Sequence, residues 1–165
     1  PEDDAEAVKG WRKAAEQGHA SAQYNLGSMY DNGRGVPQDD AEAVKWYRKA
    51  AEQGYAEAQY NLGWMYANGE GVPEDDAEAV RWLRLAAEQG HASAQYFLGS
   101  IYAGDGSVPE DYVLAYMWFN LTAAQGEEYA QNDKDIIERR MTREQIAEAQ
   151  RLSTDWLEAH PPVGN

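Results

Sequence analysis

The chain has 165 residues and a net charge of −15, from 29 acidic and 14 basic side chains, with 43% hydrophobic residues and no cysteine. Its length suits one domain of ordinary size with a real core. The composition excludes disulfides and thiolate metal sites, no apolar run approaches the ~18 residues of a membrane span, and the negative field opposes non-specific binding to nucleic acid or anionic lipid.

Pro1, Pro37, Pro73 and Pro109 recur every 36 residues, and the text between them aligns without a gap. A fixed period in this range marks a repeat solenoid, whose single unit cannot bury its apolar face and must stack on copies. The repeats run 1–36, 37–72 and 73–108, with a degenerate copy over 109–140 and a capping helix over 142–160. The chain starts in the phase of the later repeats, with neither an initiator Met nor a visible signal peptide. It reads as a processed or trimmed piece, and the compartment stays open.

The first unit follows the common pattern, but Gly10 stands where the others have Trp46, Trp82 and Trp118. In the second unit, Asp39 and Asp40 can cap a helix and favour its positive end. That helix runs to about Glu52 and stops at Gln53-Gly54. Ala43, Val44, Tyr47, Ala50 and Ala51 share one side of it. A second helix spans about Ala56 to Ala67, with Ala58, Leu62, Met65 and Tyr66 inward, and Asn68 to Pro73 turns the chain into the next unit. The small residues Ala51, Ala58 and Gly63 let the paired helices approach. In the third unit Phe97 replaces Asn25 and Asn61. The fourth keeps the pattern to about Gln131, after which Lys134 and Asp135 stand where Leu62 and Gly63 stood. A helix over about Glu128 to Arg140 follows. Thr142 with Gln145 fits a capping box for a last helix, with Ile146, Ala149, Leu152, Trp156 and Leu157 as its apolar stripe.

The pattern formed by Ala43, Trp46, Tyr47, Ala50, Ala51, Gly54, Ala58, Leu62, Gly63, Tyr66, Gly69 and Gly71, repeated in units one and three, resembles the Sel1-like repeat, a relative of the tetratricopeptide repeat. The resemblance covers residues 1 to about 131. The last helix resembles the segment that often closes bacterial members. The resemblance implies an all-α fold, a right-handed α-α superhelix with the first helix of each pair lining the concave side. It also implies a scaffold or adaptor that binds other proteins. Some secreted members staple each unit with a disulfide, which a chain without cysteine cannot do.

Catalytic and metal motifs are absent: there is no HExxH, nucleophile elbow or cysteine pair. No cofactor is expected. His19 and His91 share a repeat position two units apart, too far to hold one metal, and read as inter-helix packing residues. His160 lies in the tail. Gly33-Arg34-Gly35 and Gly69-Glu70-Gly71 lack the strand of a phosphate loop and read as turns. Asp105-Gly106-Ser107 with Glu110 and Asp111 lacks the alternating acids of a calcium loop. Asn120-Leu121-Thr122 spells a glycosylation sequon inside a predicted helix.

The charge layout carries more. Eight of the 14 bases fall on first helices: Lys9, Arg12, Lys13, Lys45, Arg48, Lys49, Arg81 and Arg84. Stacking aligns Lys9, Lys45 and Arg81 in an outward row, and Arg12, Arg48 and Arg84 in a row flanking the apolar face. Unit four has Met117 and Asn120 instead, so a peptide along the groove is expected to set acidic groups over Arg12, Arg48 and Arg84 and apolar side chains nearer Met117 and Asn120. Two readings stay open. The rows could hold carboxylates or a phosphorylated peptide. Alternatively, Glu6, Glu42 and Glu78 pair with the first row, and Glu16, Glu52 and Glu88 with the second, as ordinary helix-surface ion pairs. Trp64, where the other units have Ser28 and Ser100, points outward as an interface anchor or packs on the next repeat.

These features point to a non-enzymatic adaptor or scaffold that binds a protein or peptide, with acidic or carboxylate groups as the class its bases would hold. Nucleic acid and membrane insertion are not expected. The alternative is a structural spacer or self-association element within a larger chain.

Overall fold

The structure, a computed structural model, describes residues 2–104 and 108–161. Its described residues form nine helices and no strand: α1 (Glu2–Glu16), α2 (Ala20–Asn32), α3 (Asp40–Glu52), α4 (Ala56–Asn68), α5 (Asp76–Glu88), α6 (Ala92–Tyr102), α7 (Tyr112–Ala124), α8 (Glu128–Glu138) and α9 (Arg143–Ala159). This is the all-α helical-repeat fold that the 36-residue period predicts. The chain divides into two compact units, Pro1–Gln89 and Gly90–Asn165, so the division falls between the two helices of the third repeat.

Local signals set the helix ends. Asp39, Asp75 and Asp111 each accept the backbone N–H of the residue three further on, at 3.0 Å, and so start α3, α5 and α7. An N-cap of this kind contributes about 1 kcal/mol. Gly69 ends α4 in the left-handed region at φ +67°, which glycine enters without a steric penalty.

In the first unit α2 packs on both α1 and α3, and α4 on both α3 and α5. Leu26, Leu62 and Leu83 are fully buried, and Tyr47 nearly so. Trp46 shares a buried cluster with Val8 and Ala15 of α1 and Ala22 and Leu26 of α2, and Trp82 joins the cluster of Ala43, Val44 and Tyr47 on α3. Each tryptophan therefore belongs to the core that includes the preceding first helix. The apolar wheel of α3 omits Trp46, yet its indole is buried. The equivalent face of α1 is open: Trp11 is 37% exposed beside Ala7, Gly10 and Ala14.

Gly63 sets the α4–α5 approach. A Cβ built there would sit 2.8 Å from Leu83 Cγ and 3.1 Å from the Ala79 carbonyl oxygen. Gly10, inside α1, has nothing within 4 Å of the same added atom. One substitution therefore has opposite expected outcomes. Gly10→Ala removes a helix-interior glycine and is expected to stabilise by about 0.5–1 kcal/mol. Gly63→Ala is expected to destabilise by about 1–2 kcal/mol, because overpacking outweighs the gain in helix propensity. Urea denaturation of the two variants checks the pair, and equal signs would contradict this packing.

Buried glutamines stitch successive helices together. Gln23 Nε2 donates to the Ala15 carbonyl and Gln59 Nε2 to that of Ala51, both at 3.1 Å. Their side-chain oxygens accept from Gln53 at 2.7 Å and Gln89 at 2.8 Å. Gln125 and Gln95 repeat the link in the second unit at 2.8 Å. A buried amide satisfied on both ends avoids the penalty of an unpaired polar group. The repeated Ala-Gln and Glu-Gln-Gly strings contain this ladder, which sequence reasoning assigned no role.

In the second unit, α7 packs against α6, α8 and α9. Seven of its residues are buried, including Tyr116, Met117, Trp118, Phe119 and Leu121. In earlier repeats the following helix lies on the second helix of the pair, whereas α9 packs principally on α7. Asp135 replaces the glycine that permits the usual contact and stays exposed. The expected capping box of Thr142 and Gln145 is present. The stripe needs correction: the buried positions of α9 are the small Ala149 and Ser153, Ile146, Leu152 and Trp156 are half-buried, and Leu157 is 41% exposed. Small residues at the contact let α9 approach closely, so the larger ones flank it.

Candidate functional site

The alternation of α1, α3 and α5 with α2 and α4 places the bases of the first unit at equivalent positions of successive repeats. The outward row is neutralised in place. Lys9 lies 3.4 Å from Glu6, Lys45 2.9 Å from Glu42, and Arg81 2.9 Å from Glu78. Exposed pairs of this type contribute about 0–1 kcal/mol. Arg81 also lies over the Trp82 ring, 4.5 Å from its centroid, and Lys49 over Trp46 at 4.3 Å.

The flanking row departs from the ion-pair expectation. Arg12 Nη2 donates to the Tyr30 hydroxyl at 2.6 Å, and Arg48 Nη2 to that of Tyr66 at 2.5 Å. Their guanidinium carbons lie 6.0 Å and 5.6 Å from those ring centroids. Among the described residues neither forms an ion pair, with Glu16, Glu52 or any other acid. A tyrosine from the second helix of the same repeat thus orients each arginine without cancelling its charge. The tyrosine recurs in every full repeat, so the sequence held this signal. Arg84 is exposed at the same register of α5.

Met117 is buried within α7. The apolar surface expected of it is therefore not presented. Asn120 is half-buried, and its side-chain oxygen accepts from Lys134 Nζ at 3.5 Å. Trp64 is 39% exposed, on a cavity it lines with Asp31, Tyr60, Asn61 and Met65.

His19 precedes α2 with no side-chain cap bond, whereas His91 Nδ1 accepts the Ala94 N–H at 3.3 Å. His160 stacks on Trp156, ring centroids 4.2 Å apart. Among the described residues no three His, Asp or Glu side chains group as metal ligands. Asp105, Gly106 and Ser107 lie outside the described residues. Of the acids beside them, Asp111 caps α7 and Glu110 accepts from the Tyr112 hydroxyl at 2.8 Å. Asn120 of the sequon sits inside α7. No helix among the described residues is long and apolar enough to cross a membrane.

The Sel1 repeat family model matches four stretches, 1–19, 20–55, 56–91 and 92–127. The chain belongs to the Sel1 repeat family. The family frame opens each full Sel1 repeat at a second helix, so 20–55 joins α2 to α3, whereas the prolines divide the same period one helix earlier. A solved Sel1 repeat protein from Oxalobacter formigenes is 42% identical with a TM-score of 0.70, over 78% of this chain and 96% of that one. A protective antigen of uropathogenic Escherichia coli strains, displaying the same repeat fold, is 32% identical with a TM-score of 0.69, over 92% of this chain. The chain spans 40% of that antigen's length. No curated protein matches it. Sel1 repeats are generally protein-interaction modules and typically non-catalytic.

Proposed function

We propose that this chain is a non-enzymatic adaptor or scaffold module that binds a protein or peptide along the face of its first helices. The observation that carries the reading is the pair Arg12 and Arg48, each held by a tyrosine hydroxyl and unneutralised by any acid among the described residues. An arginine fixed in this way loses less side-chain freedom on binding and keeps donors for a bidentate carboxylate or phosphate contact. The partner class is therefore a peptide with acidic or phosphorylated side chains, and repeat stacking supplies the regular spacing.

The test is an array of acidic and phosphorylated peptides titrated against the full chain and against Arg12→Ala/Arg48→Ala. The double variant is expected to bind about tenfold more weakly, the effect of one lost charge-assisted contact, with its melting temperature within a few degrees of the parent. Moderate salt is expected to preserve the interaction, because it screens the repulsive field of an acidic protein more than a close contact. If affinity does not change in the double variant, the arginines only support their tyrosines, and the spacer reading gains.

A further inference from the structure

The departures from the repeat converge at one point. Unit one carries Asp31 where units two and three carry Ala67 and Ala103, and unit two carries Trp64 where the others carry Ser28 and Ser100. They come from different helices, Asp31 near the end of α2 and Trp64 on α4, yet both line one cavity of about 120 Å³ with Tyr60, Asn61 and Met65. Stacking of the second repeat on the first brings them together.

The chemistry of this cavity is anionic and aromatic. Asp31 Oδ2 accepts the Tyr47 hydroxyl at 3.1 Å. Among the described residues Oδ1 has no hydrogen-bond partner and the carboxylate no ion pair. Tyr47 is buried, and burial followed by the neighbouring Asp31 charge pushes its phenol well above the ordinary range, so it remains a donor. Neither α2 nor α4 contains a lysine or arginine, and α4 adds the acid Glu57. The base that follows α2, Arg34, is held by Asp4 at 3.3 Å. α3, which packs on α2, carries Lys45, Arg48 and Lys49, but among the described residues none of them forms an ion pair with the half-buried Asp31 carboxylate, and the net charge of −15 draws cations towards the protein.

We propose that this cavity is a binding site for an arginine side chain presented by a partner protein or peptide. The guanidinium plane lies on the Trp64 indole and turns its N–H fork to the free oxygen of Asp31. A planar, weakly hydrated cation suits an aromatic wall with one carboxylate better than an ammonium does. The site is separate from the first-helix face and does not depend on the arginines there.

The test uses fluorescein-labelled hexa-arginine and hexa-lysine peptides, titrated at about 0.15 M salt, where bulk attraction falls off over roughly 8 Å. Trp64→Ser restores the residue of the sister repeats and leaves the charge unchanged. Asp31→Asn keeps an acceptor for Tyr47. Each is expected to weaken hexa-arginine binding by roughly fivefold, with melting temperature preserved. Glu16→Gln, which removes one charge elsewhere, is expected to leave binding within the error of the parent. Hexa-lysine is expected to bind more weakly than hexa-arginine and to lose little in Trp64→Ser. Absence of hexa-arginine binding, equal affinity for parent and Trp64→Ser, or an equal loss in Glu16→Gln would each overturn the site and leave bulk charge alone.

Discussion

Leu62→Ala is expected to cost about 2–5 kcal/mol. Leu62 is fully buried at the centre of a cluster that includes Ala43, Tyr47, Met65 and Trp82. The cluster draws on three helices, α3, α4 and α5, so truncating this side chain leaves a cavity that rigid neighbours fill only partly. Transfer and cavity terms add at such a site. Urea denaturation followed by circular dichroism is expected to show a midpoint lowered in proportion at an unchanged slope. Leu157→Ala is the companion measurement. Leu157 is 41% exposed, and its truncation is expected to stay within about 0.5 kcal/mol. A loss below about 1 kcal/mol for Leu62→Ala would show that this contact is loosely packed.

Ending the chain after Arg140 is expected to cause aggregation or a large fall in melting temperature. The removed helix α9 lies against α7, whose buried residues include Tyr116, Met117, Trp118, Phe119 and Leu121. A helix apolar around most of its circumference needs cover on every side, and α6 and α8 supply only part of it. Each large apolar side chain returned to water costs roughly 1.5–3 kcal/mol when the exposure is complete. Losing even part of two or three such burials is a large share of the 5–15 kcal/mol that holds a typical domain together. Light scattering and a thermal melt of the shortened chain check this. A monomer as stable as the parent would mean that α9 is an appendage rather than a cap.

The repeat period and its local chemistry were legible in the sequence. Identical text at a spacing of 36 makes three units adopt one structure, and each aspartate cap and terminal glycine acts within a few residues of its helix end. For that reason the caps at Asp39, Asp75 and Asp111 and the capping box at Thr142 follow from spacing alone. The Sel1 assignment rests on the same redundancy.

The helix ends depend on residues three or four apart, and the helical repeat and its family on the 36-residue period, so all of these are written in the chain itself. Tertiary structure decided which partner each group meets across helices. Arg48 chose the Tyr66 hydroxyl, eighteen residues away, over Glu52 on its own helix. Met117 went inside because α6, α8 and α9 surround α7. Ala149 and Ser153 took the contact of α9, with the larger apolar residues at its flanks. Asp31 and Trp64 met on one cavity because α2 and α4 both pack on α3. Such pairings depend on the distance and rotation between helices, which packing sets and no local pattern encodes.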